Sequence, residues 1–178
     1  MKKFSLILFI YLPLLNFAQN ERKVDQVENF SRFNFQINTG LYIKIRGQVE
    51  FNLNPKNSIT LSLSKHYGPL NPGAQAYVQY KRFYPKSELF SNLFYGKIGY
   101  GKSFTYNGEF GIFGFGTGQK LNLGKKKKVF IQFTEGIKMC PIIRGDIESE
   151  VGSGFRGLFY LTGPGSVIDL NINFGIKL

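Results

Sequence analysis

The C-terminal stretch Ser166-Val-Ile-Asp-Leu-Asn-Ile-Asn-Phe-Gly-Ile-Lys-Leu178 constrains the fold more than any other. Ile168, Leu170, Ile172, Phe174, Ile176 and Leu178 alternate with Asp169, Asn171, Asn173, Gly175 and Lys177. Successive side chains of a strand point to opposite faces, so one face is apolar and the other polar or small. The same pattern recurs along the chain. It predicts an all-β fold, an eight-stranded antiparallel up-and-down transmembrane β-barrel. In that reading Ile168, Leu170, Ile172, Phe174 and Ile176 face lipid. Asp169, Asn171 and Asn173 face the interior, with Lys97 and Gln79 from other strands.

From Phe33 to Leu53 the odd positions are mostly apolar, a run too long for one membrane strand of about 9–11 residues. A split at Asn38-Thr39-Gly40 is expected, with Arg46-Gly47 as the alternative, because glycine supplies the left-handed position of a hairpin. Later strands are expected at Ile59–Lys65, Ala74–Tyr84, Leu93–Phe104, Phe110–Leu123 and Val129–Met139. In the sixth strand, Phe110 and Ile112 have the opposite parity to Phe113, Phe115, Leu121 and Leu123. A bulge among Gly111, Gly114 and Gly116 would absorb that slip. Residues 140–165 form the longest connection, and Ser166–Leu178 is the closing strand.

The chain opens with Met1-Lys2-Lys3, an apolar run from Phe4 to Phe17, and Ala18-Gln19. That order is a secretory signal peptide over 1–18, since the apolar run is too short for a spanning helix of about 20 residues. Residues 19–29 are polar and read as a flexible periplasmic leader; 30–178 form the barrel domain. The 178 residues suit one domain, and the single Cys140 rules out an internal disulfide. The chain carries a net charge of +12, two units of it from Lys2 and Lys3. For an exported β protein this charge points to phosphates of lipids and lipopolysaccharide rather than to nucleic acid. The barrel-assembly machinery is the other expected partner.

Loop lengths fit the topology. Asn54–Asn57, Pro85–Ser91 and Gly124–Lys127 are short, as periplasmic turns should be, while the 67–73 and 140–165 connections are longer and external. Aromatics cluster at strand ends: Phe83, Tyr84, Phe90, Phe94 and Tyr95 at one end, Tyr67, Tyr77, Phe104 and Tyr106 at the other. Such residues favour the water–lipid boundary. Glu135 shares the parity of Phe133 and would face lipid unless a bulge turns it inward.

The chain resembles small outer-membrane β-barrel proteins of the Bacteroidota. The resemblance rests on Phe17-Ala18-Gln19, Gly47-Gln-Val-Glu-Phe-Asn-Leu-Asn54 and Ala76-Tyr-Val-Gln-Tyr-Lys-Arg-Phe-Tyr84. Tyr95-Gly-Lys-Ile-Gly-Tyr-Gly101 and Phe113-Gly-Phe-Gly-Thr-Gly118 complete it. Leu178 stands where many such barrels end in Phe. The resemblance implies location and fold, and brings no activity with it.

Few residues suggest chemistry. The Gly-x-Gly runs lie inside strand patterns rather than before a helix, so they are not nucleotide loops, and no cofactor is expected. His66 shares a face with Ser62 and Ser64. A Ser-x-His pair on one face could serve a lipid A–modifying hydrolase, because a base must reach the hydroxyl it activates. Lipid A deacylases, however, carry His before Ser, facing lipid. The more ordinary role for Ser64 and His66 is an interior polar network, and no enzyme activity is expected. Asp146, Glu148 and Glu150 could hold a divalent ion, but more simply form a solvated loop. The expected function is a structural or surface-interaction role, with any surface ligand taken at 140–165. The interior of an eight-stranded barrel is filled by side chains, so no open pore is expected. A soluble barrel holding a small ligand is the remaining alternative; it would turn the apolar faces inward.

Overall fold

The computed structural model describes residues 31–40, 44–67, 72–104, 108–124, 126–145 and 165–178. Nine strands follow in chain order: β1 (Phe33–Gly40), β2 (Lys44–Asn54), β3 (Asn57–His66), β4 (Gly73–Pro85), β5 (Phe90–Ser103), β6 (Glu109–Leu123), β7 (Val129–Met139), β8 (Ile142–Arg144) and β9 (Asn171–Lys177). Eight long strands make a closed antiparallel barrel. Each of β1 to β6 pairs with the next strand, β7 pairs with β9, and β9 pairs with β1. The short β8 continues the line of β7 along β6 beyond Pro141, whose carbonyl accepts from the Gly111 amide at 2.8 Å. Closure leaves the long strands without an unpaired edge.

The first hairpin differs from the expected split. Asn38, Thr39 and Gly40 remain in β1, paired with Asn173, Ile172 and Asn171, and Arg46-Gly47 lies within β2. The wall across β9 holds these residues in the ladder, which a local turn signal does not report. The closing strand is shorter than expected. Before Asn171 the contact with β7 is reduced to an Ile137–Ile168 bridge, with the Lys138 and Asp169 amides bonding to the Val167 and Gly136 carbonyls. Val167 and Ile168 are both exposed there, so the strict alternation begins only at Ile168.

The phase slip in β6 has a different cause from a bulge. The β5–β6 register runs unbroken from Phe90↔Leu121 to Lys102↔Glu109. Phe110 and Ile112 instead face inward and are fully buried, while Phe113, Phe115 and Leu121 face outward. Glycine makes room for this. Gly101 is the cross-strand partner of Phe110, and a Cβ on Gly101 would come within 2.3 Å of that ring. Phe130 repeats the arrangement over Gly175. Large rings thus reach the inside of a narrow barrel by lying over residues without side chains.

One end of the barrel carries the tight turns at Pro55-Lys56 and Lys86–Leu89 and the short connection from β6 to β7. At the last of these, Gly124 has φ +75° and Lys127 φ +50°, and the Lys127 amide bonds to the Gly124 carbonyl at 3.1 Å. Lys127 also pairs with Glu88, joining two neighbouring turns. The opposite end, called here the loop end, carries the remaining connections.

Candidate functional site

The interior is the chemically distinctive part of the molecule. The inward positions of β2 are Lys44, Arg46, Gln48 and Glu50, those of β3 are Ser58, Thr60, Ser62, Ser64 and His66, and all are buried. Antiparallel pairing sets Lys44 beside His66, Arg46 beside Ser64, Gln48 beside Ser62 and Glu50 beside Thr60. A polar ladder therefore runs down the inside of these two strands.

Two charge clusters lie on it. Toward the tight-turn end, Glu50 accepts from Lys81 at 2.7 Å, Asn34 at 2.6 Å and, more loosely, Lys120 at 3.4 Å. Lys120 also lies over the rings of Phe130, at 4.0 Å, and Phe83. Toward the loop end, Asp169 accepts from Lys97 at 2.5 Å and from the Tyr95 hydroxyl at 2.8 Å. Asn171 Oδ1 accepts from Lys44 Nζ at 2.6 Å and Arg46 Nη1 at 3.3 Å. The Arg46 guanidinium also stacks on Tyr77, 4.9 Å from the ring centroid. Lys97 and Lys138 flank Gly114, whose missing side chain gives both room: a Cβ there would meet Lys138 Cβ at 2.9 Å and Lys97 Cε at 3.0 Å.

Asp169, Asn171, Asn173, Lys97 and Gln79 are all buried inside the barrel. Ile168, Ile172, Phe174 and Ile176 lie on its outer surface, Ile168 and Phe174 each 52% exposed; Leu170 is half-buried. Glu135 stays on the outer wall, half-buried. No register shift turns it in, and its cross-strand partner Thr117 donates to it at 3.4 Å. Of the aromatics expected at the barrel ends, Tyr67, Tyr84, Phe94 and Phe104 are exposed. Tyr77, Phe83 and Tyr95 are not at the boundary: they face inward and are buried, because their parity is that of Gln79, Lys81 and Lys97. Tyr106 lies outside the described residues.

Ser64 and His66 both point inward, and neither Ser64 Oγ nor His66 Nε2 has a hydrogen-bond partner, so no bond joins these two atoms. Asp146, Glu148 and Glu150 lie outside the described residues, as does most of 140–165. Among the described residues, no group of three or more His, Cys, Asp or Glu side chains is placed to hold a metal. Cys140 is buried as a free thiol.

Sequence reasoning did not single out Glu50, Lys81, Lys120 or Arg46. The signal was available: Lys44, Arg46, Gln48 and Glu50 occupy the parity opposite Ile45, Val49 and Phe51. No protein-family model, no curated protein and no solved structure matches the chain.

Proposed function

We propose that the chain is a small outer-membrane β-barrel protein with a structural or surface-interaction role, and that it does not form an open pore. The observation that carries this reading is the inversion of the barrel. Large apolar side chains such as Leu63, Ile98, Phe115, Met139 and Phe174 cover the outside, while Lys, Glu, Asp, Asn and Gln are buried inside. Burying one such apolar side chain stabilises by about 1.5–3 kcal/mol, so a wall of them facing water would forgo a large part of a domain's driving force. Hydrocarbon removes that loss, and a closed barrel is a form in which strands can satisfy their backbone there. A soluble barrel holding an apolar ligand calls for the opposite arrangement.

The filling of the described interior supports the reading without an open pore. Tyr95, Lys81, Phe110 and Phe130 are all fully buried, and the Glu50–Lys120 and Asp169–Tyr95 contacts tie side chains across the middle. Export would use the 1–18 signal peptide, with barrel-assembly machinery and lipopolysaccharide as partners. Exposed Lys126 and Lys128 at the tight-turn end would meet lipid phosphates, each adding about 1 kcal/mol near an anionic surface. A surface ligand, if there is one, would be met at 140–165. The hydrolase reading gains no support from the geometry: Ser64 and His66 face the packed interior, away from the surface where an acyl ester would lie.

Membrane fractionation with electrophoresis of heated and unheated samples tests the reading. The expected result is recovery in the outer-membrane fraction and a mobility that changes on boiling. Recovery of the mature chain in the soluble periplasm without detergent would overturn it.

A further inference from the structure

We propose that the loop-end half of the barrel interior is an oxyanion site, built by Arg46, Ser64, His66 and Lys44 to take a phosphate group. This goes beyond the membrane reading and does not depend on it, since it concerns only the inside of the barrel.

The first ground is charge. Lys44, Arg46 and Lys97 are buried in this half, and among the described residues Asp169 is the buried carboxylate that faces them. Asp169 is engaged by Lys97 at 2.5 Å, and Lys44 is met by the neutral Asn171 oxygen. Buried charge without a counter-charge is strongly disfavoured, so the excess calls for an anion.

The second ground is a set of unused polar atoms at one place. Arg46 is only 2% exposed, yet its Nε and Nη2 have no hydrogen-bond partner. Those two N–H groups form the edge of the guanidinium that grips an oxyanion through two parallel bonds. The Tyr77 ring occupies the face of the guanidinium, which fixes its plane and leaves the edge available. Ser64 is the cross-strand neighbour of Arg46, and His66 the neighbour of Lys44. Ser64 Oγ and His66 Nε2 are likewise buried and unpartnered. Directly paired residues have Cβ atoms about 4.5–5.5 Å apart, and these two pairs are successive inward registers of β2 and β3, so the unpartnered atoms of Arg46, Ser64 and His66 lie on one short stretch of the inner wall.

The third ground is position. Lys44 opens β2 and His66 ends β3, so the cluster occupies the first two inward registers from the loop end. A phosphate could come from solution or from a lipid headgroup, and the chemistry of recognition is the same for both.

The test uses the full chain folded in a maltoside detergent free of phosphate, with folding checked by gel mobility before and after boiling. Inorganic phosphate is titrated by calorimetry into the wild type, Arg46→Met, Ser64→Ala and, as a control on the outer wall, Arg82→Met. The expected result is one saturable site, weakened at least tenfold by Arg46→Met, several-fold by Ser64→Ala and not by Arg82→Met. In a second arm, micelles are doped with phosphatidic acid. Competition with free phosphate identifies a lipid headgroup as a ligand, and lack of competition identifies the free anion; either supports the site. Absence of saturable phosphate binding by the folded wild type, or equal binding by wild type and a folded Ser64→Ala variant, overturns it.

Discussion

The hydroxyl of Tyr95, on β5, donates to Asp169 Oδ2 just ahead of β9, at 2.8 Å and across the inside of the barrel. Its path is cleared by glycine: a Cβ on Gly136 would lie 2.5 Å from that hydroxyl oxygen, and one on Gly116 2.7 Å from it. Gly136→Ala should therefore destabilise by about 1–3 kcal/mol, the usual cost of overpacking. Gly136→Ala combined with Tyr95→Phe should lose somewhat less than the two single changes added together, because the clash with the hydroxyl is gone while that with the Phe115 carbonyl, 2.4 Å from the added Cβ, remains. Chemical unfolding of the chain in micelles, read by tryptophan-free far-ultraviolet dichroism, measures both.

Glu50 is the carboxylate that Lys81 and Lys120 share. Glu50→Gln removes the counter-charge from two buried cations and should destabilise by about 3–5 kcal/mol. Adding Lys81→Met should recover part of that loss, since one orphaned charge disappears. A double variant as unstable as the single one would show that Lys81 draws little from the carboxylate.

Phe130 lies over Gly175 so closely that a Cβ there would sit 2.1 Å from Phe130 Cζ. Gly175→Ala should slow folding and lower the unfolding midpoint, at a cost of about 1–3 kcal/mol. The same change made with Phe130→Ala should add little to the cost of losing the ring. Folding rates into vesicles of short-chain lipid provide the readout.

Phe174→Lys places a charge on the outer wall, in the middle of β9. If that wall meets hydrocarbon, the change should cost about 2–4 kcal/mol in bilayers. An unchanged folding yield in bilayers, accompanied by better solubility without detergent, would contradict the membrane reading.

The barrel was legible because alternation with period two survives in nearly every strand, and each strand's inner and outer faces differ sharply in polarity. Val129–Met139 was read to the residue for that reason. The failures lie where a distant contact overrides a local cue. Gly40 looked like a turn and is a ladder residue, because β9 pairs with it. Phe110 and Ile112 looked like an outward face displaced by a bulge, and point inward because Gly101, on another strand, makes room. Tyr77 and Tyr95 looked like boundary residues by position along the strand, whereas parity put them inside. Arg46 was passed over for a related reason: alternation tells which way a side chain points, but not which partners it will lack.

The seam between β1 and β9 has a consequence for biogenesis. The wall becomes continuous only when β1 and β9 find each other, so the cylinder cannot be zipped shut before β9 has been made. A product cut short before Asn171 would carry two raw margins, β1 and β7, each offering its amides and carbonyls to any neighbouring ribbon. Protection of the unfinished chain until β9 arrives is thus built into the order of its strands.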